Sequence, residues 1–304
     1  MPTLGALAKV RLNALVLVTT GVGFIVSTTA TPNWTLLAWT LLGTAASAAS
    51  ASMFNQLIES RRDALMQRTE GRPLPQKHIG RPLVFLLAVL LAYVGWALLL
   101  WAAGWIPAAL ATGNIALYAL IYTPLKPITS INTIVGAVCG AIPPLVGWTA
   151  ATGSFAPGGW VIAGILFVWQ LPHFMALAWM YREDYARGGF MMLPAVDPSG
   201  QVTAQTMVLT SLILIPLGLL TTVYGVAGWW FAIISIILGC WMIFVSFRFL
   251  HLRTDASARR VFFTSITYLP LLLLALVLDR GSVSPSAALR IAPVFIAPDE
   301  KIPQ

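Results

Sequence analysis

The sequence predicts an all-α membrane protein, a bundle of nine transmembrane helices. Three observations predict it. Of the 304 residues 58% are hydrophobic and only 9% charged, and the mean hydropathy is +0.83, whereas soluble chains run about half apolar and about a quarter charged. The apolar residues fall in runs of about 17 to 24, the length a helix needs to cross a bilayer. The basic residues recur on alternate sides of those runs, so they collect on one face.

Taken in order, the first run, 12–31, comes after Lys9 and Arg11. It is long for the apolar core of a secretory leader and no small-residue cleavage site stands close behind it, so it is read as a retained helix. The second, 34–54, starts after Pro32 and ends in the small-residue face "ASAASASMF", which lets neighbouring helices approach closely. Runs 83–103 and 106–122 meet near Pro107. Run 134–152 contains Gly136, Gly140, Pro143, Pro144 and Gly147. Interrupted helix is tolerated in a bilayer where it lines protein or a cavity, so this span is expected to wall a large ligand, the alternative being tight packing through small residues. Run 159–181 carries Pro172 and His173, and 206–226, 228–250 and 261–278 complete the set. Residues 1–280 thus form one polytopic domain. The tail 281–304 is short, Pro-rich and expected to be irregular.

Charge placement orients the bundle. Between Lys9 and Arg260 there are fifteen Lys and Arg residues, and nine spans put all of them on the side of the N-terminus. Loops near 32–33, 104–105, 153–158 and 227 carry none. Positive loops stay cytoplasmic, so the N-terminus and the loops 55–82, 123–133, 182–205 and 251–260 are expected in the cytoplasm and the C-terminus outside. That bias accounts for the net charge of +8 without nucleic acid, and leaves an anionic substrate on the same face open. Cys139 and Cys240 lie within spans in no metal-ligand pattern, and core packing is the reading for both.

The densest charge lies in "FNQLIESRRDALMQRTEGRPLP", residues 54–75. If the second helix continues, Asn55, Glu59 and Asp63 are spaced four and four, about 40° apart per step, so their oxygens share one face. An amide and two carboxylates at the membrane border suit a hard divalent cation such as Mg²⁺; a solvated helix end paired to nearby arginines is the plainer alternative. The span at 159–181 leads into Glu183 and Asp184, again at the cytoplasmic end. His173 and Asp184 are eleven residues apart, within about 20° of one helical face were the helix unbroken. Two acidic helix ends on one side, opposite Arg68 and Arg72, suit a diphosphate bridged by metal and gripped by guanidinium forks. Pro73 and Pro75 end any helix after Arg72, leaving a loop able to fold over a ligand.

These stretches, with "YTPLKPITSINTIVGAVCGAIPPLVGW" at 122–148, "WQLPHFMALA" at 169–178 and "EDYARGGFMMLP" at 183–194, resemble the haem O synthase family, the protohaem IX farnesyltransferases of the UbiA-type superfamily of intramembrane prenyltransferases. The resemblance implies a UbiA-type bundle of nine transmembrane helices around a central cavity, in the cell inner membrane. It implies transfer of a farnesyl group from farnesyl diphosphate to a vinyl group of protohaem IX (haem B), with addition of water, giving haem O and diphosphate. Carried over residue by residue, Asn55, Glu59, Asp63, Arg68, Arg72, Lys126, Glu183 and Asp184 would form the catalytic set, with Asn55, Asp63 and Asp184 on Mg²⁺ or Mn²⁺. His173, Tyr122, Trp169, Phe174 and Tyr185 would line the acceptor and the cation's path. The partners are then farnesyl diphosphate, protohaem IX and the lipid bilayer, with haem A synthase as a candidate. A quinone-precursor prenyltransferase of the same superfamily is the first alternative. A transporter is the second, and it would need charge at mid-membrane or at both faces, where this sequence places only His173 deeper in.

Overall fold

The computed structural model describes residues 2–281, and the expected tail 281–304 lies almost wholly outside the described residues. The regular structure of the described residues is helical: α1 Pro2–Leu7, α2 Val10–Val26, α3 Trp34–Asp63, α4 Arg81–Ala103, α5 Trp105–Ala116, then a π-helical turn Leu117–Tyr122 and α6 Thr123–Leu125, α7 Asn132–Thr152, α8 Pro157–Met180, α9 Arg182–Arg187, α10 Leu193–Val196, α11 Gln201–Val223, α12 Trp229–Leu252 and α13 Asp255–Leu278. Among the described residues eight helices, counting α5 through α6 as one, are long and apolar enough to span a membrane; α2, at 17 residues, is the shorter ninth. The protein is a multi-pass membrane protein.

Local chemistry sets the ends. Asn33 caps α3 by accepting the Leu36 N–H at 3.0 Å. Lys9 takes a left-handed conformation (φ 47°) that breaks α1 from α2. Thr254 and Ser257 form a reciprocal capping box on α13. Asp197, ahead of α11, accepts the Thr203 N–H and hydroxyl, both at 2.9 Å.

Two differences from the sequence reading concern helix continuity. α7 runs unbroken through Pro143 and Pro144, so its small residues serve close approach. A side chain at Gly147 would strike the Thr20 carbonyl of α2, and one at Gly23 the Pro144 backbone; α2 and α7 cross nearly backbone to backbone. The second difference is at Tyr181 (φ −114°, ψ 22°), where α8 stops and α9 starts in a new direction. His173 and Asp184 therefore do not share one continuous helical face.

The largest core, built from α8, α11, α12 and α13, includes Trp169, Met207, Phe231, Phe249 and Tyr268. Helices α2, α3, α4, α5 and α7 pack as the other half, with α8 joining them through α7.

Candidate active site

α3 does continue past the apolar run, and the three predicted oxygen donors lie on its buried face: Asn55 and Asp63 are fully buried and Glu59 nearly so. Each meets a base. Lys9 Nζ donates to Asn55 Oδ1 at 2.6 Å, Lys126 Nζ lies 2.8 Å from Glu59 Oε1, and Arg72 Nη1 donates to Asp63 Oδ2 at 2.7 Å. Buried charges survive only when paired in this way. Burial presses the Lys9 ammonium down to about 7, and repulsion from Arg72 and Lys126 adds to it against the pull of Glu59 and Asp63. For Lys126 burial works in the same direction, but the adjacent Glu59 carboxylate outweighs it and the ammonium ends above its ordinary value.

The π-helical turn places the opposite wall. It feeds Thr123, whose hydroxyl accepts from Asn55 Nδ2 at 3.0 Å and donates to the Tyr118 carbonyl at 2.8 Å. The added residue in such a turn re-aims the side chains beyond it, here Tyr122 and Lys126. The Lys126 ammonium sits 4.6 Å from the Tyr122 ring centroid and 5.7 Å from that of Phe190, a cation–π arrangement. Gly136 has no side chain because one would strike the Tyr122 ring.

The second acidic end joins through the loop after α3. Asp184 is buried, while Glu183, one 100° step away, is exposed. Asp184 Oδ1 accepts the Gln67 N–H at 2.8 Å and Arg187 Nη2 at 2.6 Å, and Oδ2 accepts the Arg68 N–H at 3.2 Å. Burial alone would raise this carboxyl; those hydrogen bonds, from Arg187 first and then the two amides, hold it below the usual carboxylate range. Arg68 donates to Tyr185 Oη at 3.2 Å and lies over the Tyr181 and Tyr185 rings, 5.4 Å from each centroid. The segment 64–72 thus hangs between Asp63, through Arg72, and Asp184. Both acidic stretches occupy the same end of the bundle.

His173, Trp169 and Phe174 form a separate group. His173 stacks between Trp169 (5.2 Å, 20°) and Phe262 (4.9 Å, 24°), meets Phe174 edge-on, and its Nδ1 pairs with Ser265 Oγ at 2.8 Å. Trp169 Nε1 donates to the Ser265 carbonyl at 2.9 Å. Among the described residues no hydrogen bond or ring contact links this group to the acidic one.

The donor set accommodates a hard cation at one point in particular. Asp63 Oδ1 is buried and takes no hydrogen bond, an expensive state for a carboxylate oxygen unless a cation or donor arrives. Among the described residues no three His, Cys, Asp or Glu side chains close on one point; Glu59, Asp63 and Asp184 are each paired with a base of their own. Sequence reasoning missed Lys9 and Thr123 as members: Lys9 meets Asn55 across 46 residues of chain, and neither residue carries a local signal.

Residues 16–268 match the UbiA prenyltransferase family. The chain is 40% identical to the mitochondrial protoheme IX farnesyltransferase of Arabidopsis thaliana over 91% of its own length and 64% of that protein's. It is 38% identical to the protoheme IX farnesyltransferase of Solibacter usitatus over 90% of itself and 97% of that protein. Among solved structures it is similar to digeranylgeranylglyceryl phosphate synthase, at TM-score 0.79 and 15% identity over 93% and 99% of the two chains. It is also similar to a UbiA homolog from Archaeoglobus fulgidus bound to GPP and Mg²⁺, at 0.64 and 14% over 90% and 99%; both likenesses concern the fold. The chain belongs to the UbiA prenyltransferase family and, within it, to the protoheme IX farnesyltransferases.

Proposed function

We propose that this protein transfers the farnesyl group of farnesyl diphosphate to a vinyl group of protohaem IX, adds water and releases diphosphate, producing haem O for haem-copper terminal oxidases. The observation that carries the reading is the buried ring of bases, Lys9, Arg72 and Lys126, closed on the Asn55–Glu59–Asp63 face of α3 at one end of an apolar bundle. Such a ring is matched to a multiply charged anion whose organic tail enters the bundle. The likeness to enzymes named for this activity over nine-tenths of the chain supports the choice of substrates.

The chemistry starts with ionisation of the allylic C–O bond, which puts negative charge on the departing diphosphate. Arg72, Lys126 and Arg68 are fixed cations near that charge and stabilise the transition state more than the ground state. Mg²⁺ or Mn²⁺, when bound, supplies Lewis-acid stabilisation of the phosphate oxygens, and Asn55, Asp63 and Asp184 would hold it. Tyr122 and Tyr185 present ring faces to the allylic cation, and the apolar surround excludes water from it. The cation adds to the terminal vinyl carbon. Positive charge then rests on the carbon next to the porphyrin, water adds there and a proton leaves. His173, with Trp169 and Phe174, contacts the haem acceptor. The protein resides in the cell inner membrane with this site on the cytoplasmic side, and haem A synthase is a fitting recipient of the product.

Purified protein in nanodiscs, given haem B, farnesyl diphosphate and Mg²⁺, is expected to form haem O with release of one diphosphate per turnover. Prenylation of an aromatic acid under the same conditions, with haem B unchanged, would overturn the assignment.

A further inference from the structure

A cleft of about 500 Å³ lies outside the site, on the outer side of the α12–α13 pair. We infer that it is a binding site for an anionic phospholipid. Arg248, one turn before the end of α12, and Arg260, in the second turn of α13, line its mouth. No acidic residue lines it, and neither guanidinium enters any of the ion pairs formed among the described residues. Arg248 instead lies 5.9 Å from the Phe244 ring centroid. Below the mouth, Trp241, Phe244 and Phe263 are exposed walls on helices that span the membrane, reaching from Arg248 back to Trp241 over about 10 Å of helix.

Two unpaired permanent cations above an apolar trough match a phosphate headgroup with an acyl chain beneath it, and basic clefts between membrane helices at the charged border recognise anionic heads. A soluble anion would satisfy the arginines but leave the aromatic wall without a partner. The cleft lies level with the active end of the bundle, since Arg182, beside Asp184, pairs with Asp255 at the start of α13. It is nonetheless separate: α13 turns Phe262 and Ser265 toward His173 and turns Arg260 and Phe263 outward.

Native mass spectrometry of delipidated protein titrated with phosphatidylglycerol or phosphatidylcholine tests this. One phosphatidylglycerol is expected to be retained in preference to phosphatidylcholine, with about thirtyfold weaker retention in the double variant Arg248→Gln, Arg260→Gln, at about 1 kcal/mol per arginine. Arg259→Gln, an exposed neighbour outside the cleft, should retain the lipid as wild type does, and its melting curve together with that of the double variant reports folding. Equal retention of both lipids, undiminished retention by the folded double variant, or displacement by millimolar inorganic phosphate alone would overturn the proposal.

Discussion

Asp63 has two carboxylate oxygens in different circumstances. One accepts Arg72 at 2.7 Å; the other is buried without a hydrogen bond. Replacing it by Asn removes the charge but keeps the shape, so Arg72 loses its counter-ion and the free oxygen becomes a weaker ligand. Asp63→Asn is expected to lower kcat by about 10²-fold or more, with the protein still folded by near-UV circular dichroism. Lys9 offers a different test. Its ammonium meets the Asn55 amide rather than a carboxylate, so Lys9→Met should keep the fold and weaken the apparent affinity for farnesyl diphosphate by about tenfold, roughly one lost charge-assisted hydrogen bond. Unchanged KM for the diphosphate in Lys9→Met would remove Lys9 from the anion ring.

At the scale of elements, α2 and α7 depend on their glycines. A methyl group at Gly147 would have to displace the α2 backbone at Thr20, so Gly147→Ala is expected to destabilise the bundle by about 1–3 kcal/mol, read as a lowered Tm in detergent. The start of α11 depends on Asp197, where burial alone would raise the carboxyl but the hydrogen bonds from Thr203, Ser199 and Gly200 hold it below the ordinary value. A depressed carboxyl contributes stability above its unfolded value of about 3.9 and loses it as pH falls through the folded value. Relative to the intrinsic rate at each pH, hydrogen exchange at residues 199–203 should therefore stay slow down to about pH 4 and accelerate below it in the wild type. In Asp197→Asn it should be fast throughout. The elements also show what sequence alone can carry. The four-residue spacing of Asn55, Glu59 and Asp63 is a local periodic signal, and α3 runs to Asp63 as that spacing requires. The break at Tyr181 has no Pro or Gly to mark it, and the proline pair in α7, which does look like a break, is absorbed in a continuous helix.

For the whole molecule, the pattern of apolar runs was sufficient to give the all-α membrane bundle, because each span must satisfy its backbone internally and so announces itself by length. The site was partly legible for the same reason: acids and arginines are scarce in this chain, so their clustering at 54–75 and 183–184 stands out. What stayed hidden are contacts made only by the closed bundle. Lys9 reaches Asn55, Thr123 reaches Asn55, and Asp184 reaches the Gln67 and Arg68 amides across more than a hundred residues. Whether these remote stretches make one metal-diphosphate site is decided by Mn²⁺ binding, monitored by electron paramagnetic resonance with a non-ionising farnesyl diphosphate analogue present. One tightly held ion is expected in the wild type, with at least about tenfold weaker binding in both Asp63→Asn and Asp184→Asn. Wild-type Mn²⁺ affinity and line shape in Asp184→Asn would contradict a shared site.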